Sequence, residues 1–251
     1  MFKRLMCARG DQANLDILRE VLQFDHNIKG LSTTLLITPD PSLVKKISPS
    51  ANIMADAEIQ SLYPSLNRLI GMMPQWGWYY QQCLKLCAMD MLDCPRFLLH
   101  DSDCYFNVDY QPFADNKLNF VSKLGRSWHD KPALRGQPDV YDYLLHRSPV
   151  VEENCVTEVC PYTKIIWNSL ASRLENLHDK HWLDAIIDAI DPRWPLYYGL
   201  YEYYILINHA VHEGHDHRII PMTWINAEHG KALPPGHHDR VTYVNTVYEV
   251  L

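Results

Sequence analysis

The sequence predicts an α/β fold built on a mostly parallel sheet. Three observations predict it. Over the first 56 residues, short apolar, β-branched runs alternate with helical spacing. Each run stops at glycine, proline or aspartate. A long apolar helix then precedes a short apolar run, residues 96–100, that ends in Asp101-Ser102-Asp103.

The elements follow in order. Residues 2–8 form a first strand that stops at Arg9-Gly10-Asp11. Residues 12–24 place Leu15, Leu18, Val21 and Leu22 at helical spacing. Residues 32–38 form a second strand, ended by Pro39-Asp40-Pro41, and residues 51–56 a short third one closing on Asp56. Strand, helix and strand at this spacing imply parallel pairing. Residues 61–70 are helical in part, and residues 78–92 form a helix with Leu84, Cys87, Ala88 and Met91 on one stripe. Gln81 and Lys85 lie four apart on a neighbouring face. The motif run at 96–100 comes next, and residues 109–131 read as polar and irregular, with 121–124 extended. A long loop at 129–140 and a short element at 141–145 follow, then a strand within 152–159. Helices are expected at 163–174, 181–190 and 196–210, and final strands at 218–225 and 240–250. Glu202 falls inside the third of these helices, where a buried carboxylate needs a partner or a proton.

Composition narrows the function. A chain of 251 residues with 47% hydrophobic and 21% charged residues has enough apolar material for one large domain. A net charge of −7 disfavours a general nucleic-acid binder, which needs a basic face. No run of 18 apolar residues is present, so no membrane span is expected. Neither is a signal peptide, because Arg9-Gly10-Asp11 interrupts the first apolar stretch. Seven scattered cysteines fit reduced thiols and a cytoplasmic location; a peripheral place at the membrane stays open beside it. Cys83 and Cys87 read as helix packing, and Cys155 and Cys160 lack zinc-ribbon spacing. The chain holds 15 Tyr and 7 Trp against 6 Phe, rings that offer an apolar face with a polar handle.

The aspartate pair carries the chemistry. On an extended chain Asp101 and Asp103 point to one face. Two such carboxylates repel each other unless they are solvated or a divalent cation lies between them and an anionic ligand.

Three stretches resemble the GT-A glycosyltransferases, and within them a bacterial family linked to surface polysaccharide synthesis. They are Gly77-Trp78-Tyr79-Tyr80-Gln81-Gln82-Cys83-Leu84-Lys85-Leu86, Leu98-Leu99-His100-Asp101-Ser102-Asp103, and Tyr198-Gly199-Leu200-Tyr201-Glu202-Tyr203-Tyr204. They span about half of the chain. His100 departs from related motifs, which often carry an apolar or acidic residue there. The resemblance implies a Rossmann-like single domain with a mixed, mostly parallel sheet. Residues 1–110 would bind nucleotide and residues 111–251 the acceptor. The donor would be a nucleoside-diphosphate sugar and the acceptor a glycan or lipid-linked glycan. Arg9 and Asp11 would lie near base or ribose, Asp56 would face the nucleotide pocket, and Lys85 would stand near the diphosphate. Asp101 would touch the ribose or a metal-bound water, and Asp103 would ligate Mn²⁺ or Mg²⁺. A late histidine completes many such sites; His212, His215 and His217 are candidates, with His215 and His217 taken into the ligand set. Glu202 is the candidate base.

Plainer readings stand beside these. Lys85 can be a solvated surface lysine and the aspartates a solvated turn. Glu202 can be paired structurally, for example to Arg193 or Lys164. A metal-dependent hydrolase using Asp101, Asp103 and a histidine of 212–217 is the alternative enzyme, and a non-enzymatic binding module is the third reading. A zincin protease is disfavoured, because Asp216 stands where His-Glu-x-x-His needs its second histidine.

Overall fold

The computed structural model describes residues 1–9, 11–49, 51–124, 136–155, 157–194, 199–233 and 238–243. The loop expected at 129–140 and the strand expected at 240–250 therefore lie partly outside the described residues. The fold is a single α/β domain with a mixed, mostly parallel sheet. The first half alternates as the spacing predicts: β1 (Phe2–Cys7), α1 (Gln12–Gln23), β2 (Leu31–Thr38), α2 (Pro41–Ile47), β3 (Asn52–Ala55), α3 (Asp56–Leu62) and α4 (Trp76–Met91). The motif strand β4 (Arg96–His100) then joins β1 in parallel. The sheet runs β3-β2-β1-β4 and closes with β8 (Val159–Thr163), which pairs antiparallel to β4. Alternate residues of β1 serve opposite layers: Leu5 packs with α4, whereas Met6 packs with α1 and α2.

Two small sheets sit outside this one. β5 (Cys104–Phe106) leaves the motif turn and pairs with β11 (Arg240–Tyr243), which in turn pairs with β10 (Trp224–Ala227). β6 (Phe113–Ala114) and β7 (Lys117–Lys123) form a hairpin whose β7 also pairs with β9 (His217–Met222). The remaining helices are α5 (Gln137–Leu145), α6 (Lys164–His178), α7 (Trp182–Asp188) and α8 (Glu202–His212). No helix among the described residues is long and apolar enough to cross a membrane.

Four expectations need correction. The strand expected within 152–159 is β8, shifted to Val159–Thr163 and running through Pro161. Among the described residues β8 pairs in the main sheet only with β4, and an edge strand tolerates the missing proline N–H. The irregular 109–131 segment contains the β6–β7 hairpin, turned by Asp115 and Asn116, both at positive φ. That backbone is the two-residue hairpin turn that Asp and Asn favour. The helix expected from 196 starts instead at Glu202. Just before it, Gly199 has φ +81°, and a Cβ there would stand 2.3 Å from the Trp194 ring, so only glycine fits. Finally, α4 is buried almost all round from Tyr79 to Met89 rather than along one stripe.

Candidate functional site

In an open parallel sheet the ligand crevice lies outside the carboxyl ends of the strands, where the strand order reverses. Here β1 has β2 on one side and β4 on the other, so the reversal lies between β1 and β4. The chain leaves β1 through Ala8 and Arg9, and leaves β4 through Asp101-Ser102-Asp103. β4 ends at His100, so the aspartates form a turn, not the extended pair expected from alternation. Both ends of the turn are pinned by backbone. Asp101 N–H donates to the Glu158 carbonyl at 2.9 Å, and the Asp103 carbonyl accepts from Tyr243 N–H at 2.7 Å.

Lys85 joins the turn to two helices. It is only 1% exposed, which overturns the surface reading of this lysine. Its ammonium donates to Asp101 Oδ1 at 2.7 Å and to the Tyr203 hydroxyl at 2.8 Å, and it is ion-paired with Glu202. The Tyr203 hydroxyl in turn donates to Asp101 Oδ1 at 2.8 Å. Gln82, one helical turn before Lys85, accepts from Glu202 N–H through its side-chain oxygen at 2.9 Å. α4 therefore holds the start of α8 through Gln82 and Lys85; Gln81 contributes its backbone carbonyl, to the Cys7 thiol. The positive end of α8 also favours a carboxylate in its first turn. Glu202 pairs with neither of the partners suggested for it, since Arg193 binds Asp191 and Lys164 binds the carbonyls of Met89 and Asp90.

The electrostatics follow from burial. Burial alone would discharge Lys85, but Asp101 and Glu202 outweigh it and hold the ammonium charged, its pKa raised. Burial pushes the Glu202 carboxyl up to about 6 against the opposing pull of Lys85. Burial also lifts Asp103 to about 7, with the Asp101 and Glu158 carboxylates adding to it. The Cys7 thiol, at the end of β1, is pushed up to about 12 by burial and stays neutral.

The remaining wall comes from β11. Arg240 is fully buried, with its Nη2 donating to His100 Nε2 at 3.1 Å, to Cys104 Sγ at 2.6 Å and to the Glu158 carbonyl at 3.3 Å. Its guanidinium lies 4.3 Å from the Phe106 ring centroid. Burial, together with Arg240, Arg4 and Lys85, holds His100 well below its usual pKa, so its ring is neutral and Nε2 accepts. The departure at position 100 is thus a structural anchor for β11.

A family model described as Family of unknown function (DUF6492) matches residues 4–243. The chain belongs to this family. No curated protein matches the chain.

The expected site residues of this DUF6492 protein divide into three groups. Asp101, Asp103, Lys85 and Glu202 come together as one cluster. Arg9, Asp11 and Asp56 follow the carboxyl ends of β1 and β3, although Asp11 is committed to capping α1, accepting from Asn14 N–H at 3.0 Å. His215 and His217 do not join the cluster, which corrects the expected ligand set. α8 begins at Glu202 and its 11 residues carry the chain about 16 Å away, toward the amino end of β4. There His215 shares a cavity with Arg96, and His217 opens β9 opposite Leu118. His212 is used by the Ser148 carbonyl.

Among the described residues no group of three or more His, Cys, Asp or Glu side chains is arranged to hold a metal ion. The aspartate pair alone fits a partial set. Asp101 Oδ2 takes no part in the bonds to Lys85 and Tyr203, and Asp103 Oδ1 is buried with no hydrogen-bond partner. Magnesium-type sites commonly use one or two carboxylates and take their other ligands from water and substrate phosphates. The sequence reading missed Tyr203, Glu158 and Arg240. Glu158 carries one signal, a non-glycine residue at φ +51° beside the site, but that signal is structural.

Proposed function

We propose that this protein transfers a sugar from a nucleoside-diphosphate sugar to a hydroxyl of a glycan or lipid-linked glycan, in a GT-A-like arrangement. One observation carries the reading: a two-aspartate turn stands at the carboxyl end of the strand beside the sheet's reversal, with one carboxyl oxygen buried and unpartnered among the described residues. Asp101 and Asp103 would hold Mn²⁺ or Mg²⁺. Bound there, the cation would stabilise the diphosphate leaving group as a Lewis acid.

The chain's own residues do the rest. Lys85 and Tyr203 fix Asp101 Oδ1, so Oδ2 is the oxygen left to face a ligand. Arg9 and Asp56, beyond β1 and β3, would contact base and ribose. Arg240 adds positive potential behind the turn. Glu202 is 2% exposed and bound to Lys85, so it acts as a positioning residue for Lys85 rather than as a base reaching an acceptor. The alternative hydrolase needs a histidine of 212–217 beside the aspartates, and nothing favours it once those residues lie elsewhere.

The test is ligand linkage. UDP, GDP or CDP with Mn²⁺ is expected to raise the melting temperature. At a hundredfold excess over Kd the rise is roughly 5–10 °C for a domain of this size. Asp103→Asn is expected to abolish it. A screen in which no nucleotide stabilises the protein, with or without metal, would sink the reading.

A further inference from the structure

The opposite end of β4 carries a second feature that uses none of the transfer-site residues. A cavity is lined there by Arg96, Asn116, Lys117, Thr163, His215 and Asp216, with Phe113 beneath the arginine. Its volume is about 90 Å³. That is room for a tetrahedral oxyanion. Arg96 stands at the first position of β4, five residues before Asp101, so the two sites are about 16 Å apart along the strand.

The charges of this cavity are unbalanced. Six other arginines, at 4, 19, 68, 147, 193 and 218, are ion-paired with carboxylates. Arg96 and Lys117 have no ion pair among the described residues. Arg96 instead lies 5.4 Å from the Phe113 ring centroid, a contact that leaves its N–H fork available. Asp216 is the one carboxylate on the wall among the described residues. Its backbone carbonyl is tied to Leu118 N–H at 3.0 Å, and its side chain pairs with neither cation. In a chain of net charge −7, two cations without an ion pair among the described residues, facing one small cavity, mark a place where an anion is wanted. The tight turn at Asp115 and Asn116 fixes Lys117 on one side, and the β4–β8 register sets Thr163 opposite Arg96 on the other. The donors are of the right kind for phosphate: a guanidinium fork, an ammonium, an amide and a hydroxyl.

We propose that this pocket binds a phosphate group, held by Arg96 and Lys117 and flanked by Asn116, Thr163 and His215. The phosphate can come from solution or from a lipid headgroup. Ile165, which follows the pocket wall on α6, is 77% exposed, and this motivates testing the lipid source as well.

The experiment titrates inorganic phosphate at constant ionic strength while following the melting temperature. The wild type and Asp103→Asn are expected to show the same saturating rise, roughly 5–10 °C at a hundredfold excess over Kd. Arg96→Gln/Lys117→Gln is expected to melt near the wild-type temperature without ligand and to show no rise. Lys117→Gln alone, on the hairpin, is expected to weaken phosphate at least about fivefold, and it serves as the readout if the double variant does not fold. Sedimentation with phosphatidic acid vesicles, against neutral phosphatidylcholine vesicles, then separates the sources. Retention lost in the Lys117→Gln protein assigns a lipid-borne phosphate, and phosphate saturation without retention assigns a soluble one. The proposal is overturned if the wild type shows no saturating shift, or if the Arg96 and Lys117 variants shift as much as the wild type.

Discussion

The two ends of β4 handle charge in opposite ways. At the carboxyl end, Asp101, Asp103, Glu158 and Glu202 crowd around Lys85 and Arg240, and most of these charges are out of water. At the amino end, Arg96 and Lys117 face a cavity with no carboxylate among the described residues paired to either. Buried charges survive only when partners and hydrogen bonds replace the lost water. The carboxyl end is therefore locked, with its geometry tied to stability. The amino end is open, and its cations contribute little to the fold. α8 spans the two, beginning at Glu202 and ending where the chain turns toward His215.

The largest expected effect tests the locked end. Lys85→Met keeps length and apolar volume but leaves Asp101 and Glu202 without their cation. Removing one partner of a buried pair typically costs about 3–5 kcal/mol. Urea unfolding should show a loss of that size. Adding Glu202→Gln to the same protein should recover part of it, because the second uncompensated charge is gone. A Lys85→Met protein as stable as wild type would mean that the end is not locked at all.

How far the sequence reveals these two ends depends on the range of the contact. The β1–α1–β2–α2–β3 order follows from periodicity and from breakers that act locally, at Gly10, Pro39 and Pro41. The Asp101–Asp103 pair is legible as a motif, but its turn geometry is not, because strand alternation says nothing about where a strand stops. Lys85 meets Tyr203 across 118 positions, and Arg240 meets His100 across 140. No local pattern encodes such pairings. The histidines at 215 and 217 fail for a related reason. They follow Glu202 closely in sequence, yet a helix of 11 residues separates them from it by the depth of the sheet. The hairpin at Asp115-Asn116 was missed, although that dipeptide favours positive φ at both positions.

A second prediction uses pH near the far end of α8. His209 is fully buried, with neither ring nitrogen hydrogen-bonded among the described residues. Burial lowers its pKa to about 4, from an ordinary 6.5, against the raising effect of Glu213. The unfolded chain therefore binds a proton between about pH 6.5 and 4 that the folded chain refuses. Stability contributed by neutral His209 is present above pH 6.5 and is lost as pH falls toward 4, by about 3 kcal/mol over the window. His209→Leu removes the titrating group and both orphan nitrogens, so its urea midpoint should fall less on acidification than that of the wild type. Equal acid sensitivity in the two proteins would place the effect elsewhere.

The smallest expected effect separates position from charge at the locked end. Gln82 carries no charge, yet its side-chain oxygen receives the Glu202 N–H, a helix-terminal donor that would otherwise be buried without a partner. Gln82→Ala should cost about 2 kcal/mol through that orphaned group, less than the loss of Lys85. It should also let the first turn of α8 fray, and with it the Glu202 and Tyr203 side chains that fix Lys85 and Asp101. If the locked end serves to aim Asp101, this uncharged substitution should weaken nucleotide and Mn²⁺ stabilisation several-fold more than the Arg96→Gln/Lys117→Gln substitutions do. Equal nucleotide affinity in the Gln82→Ala and wild-type proteins would show that the turn keeps its geometry without α8. The role of α4 would then be confined to stability.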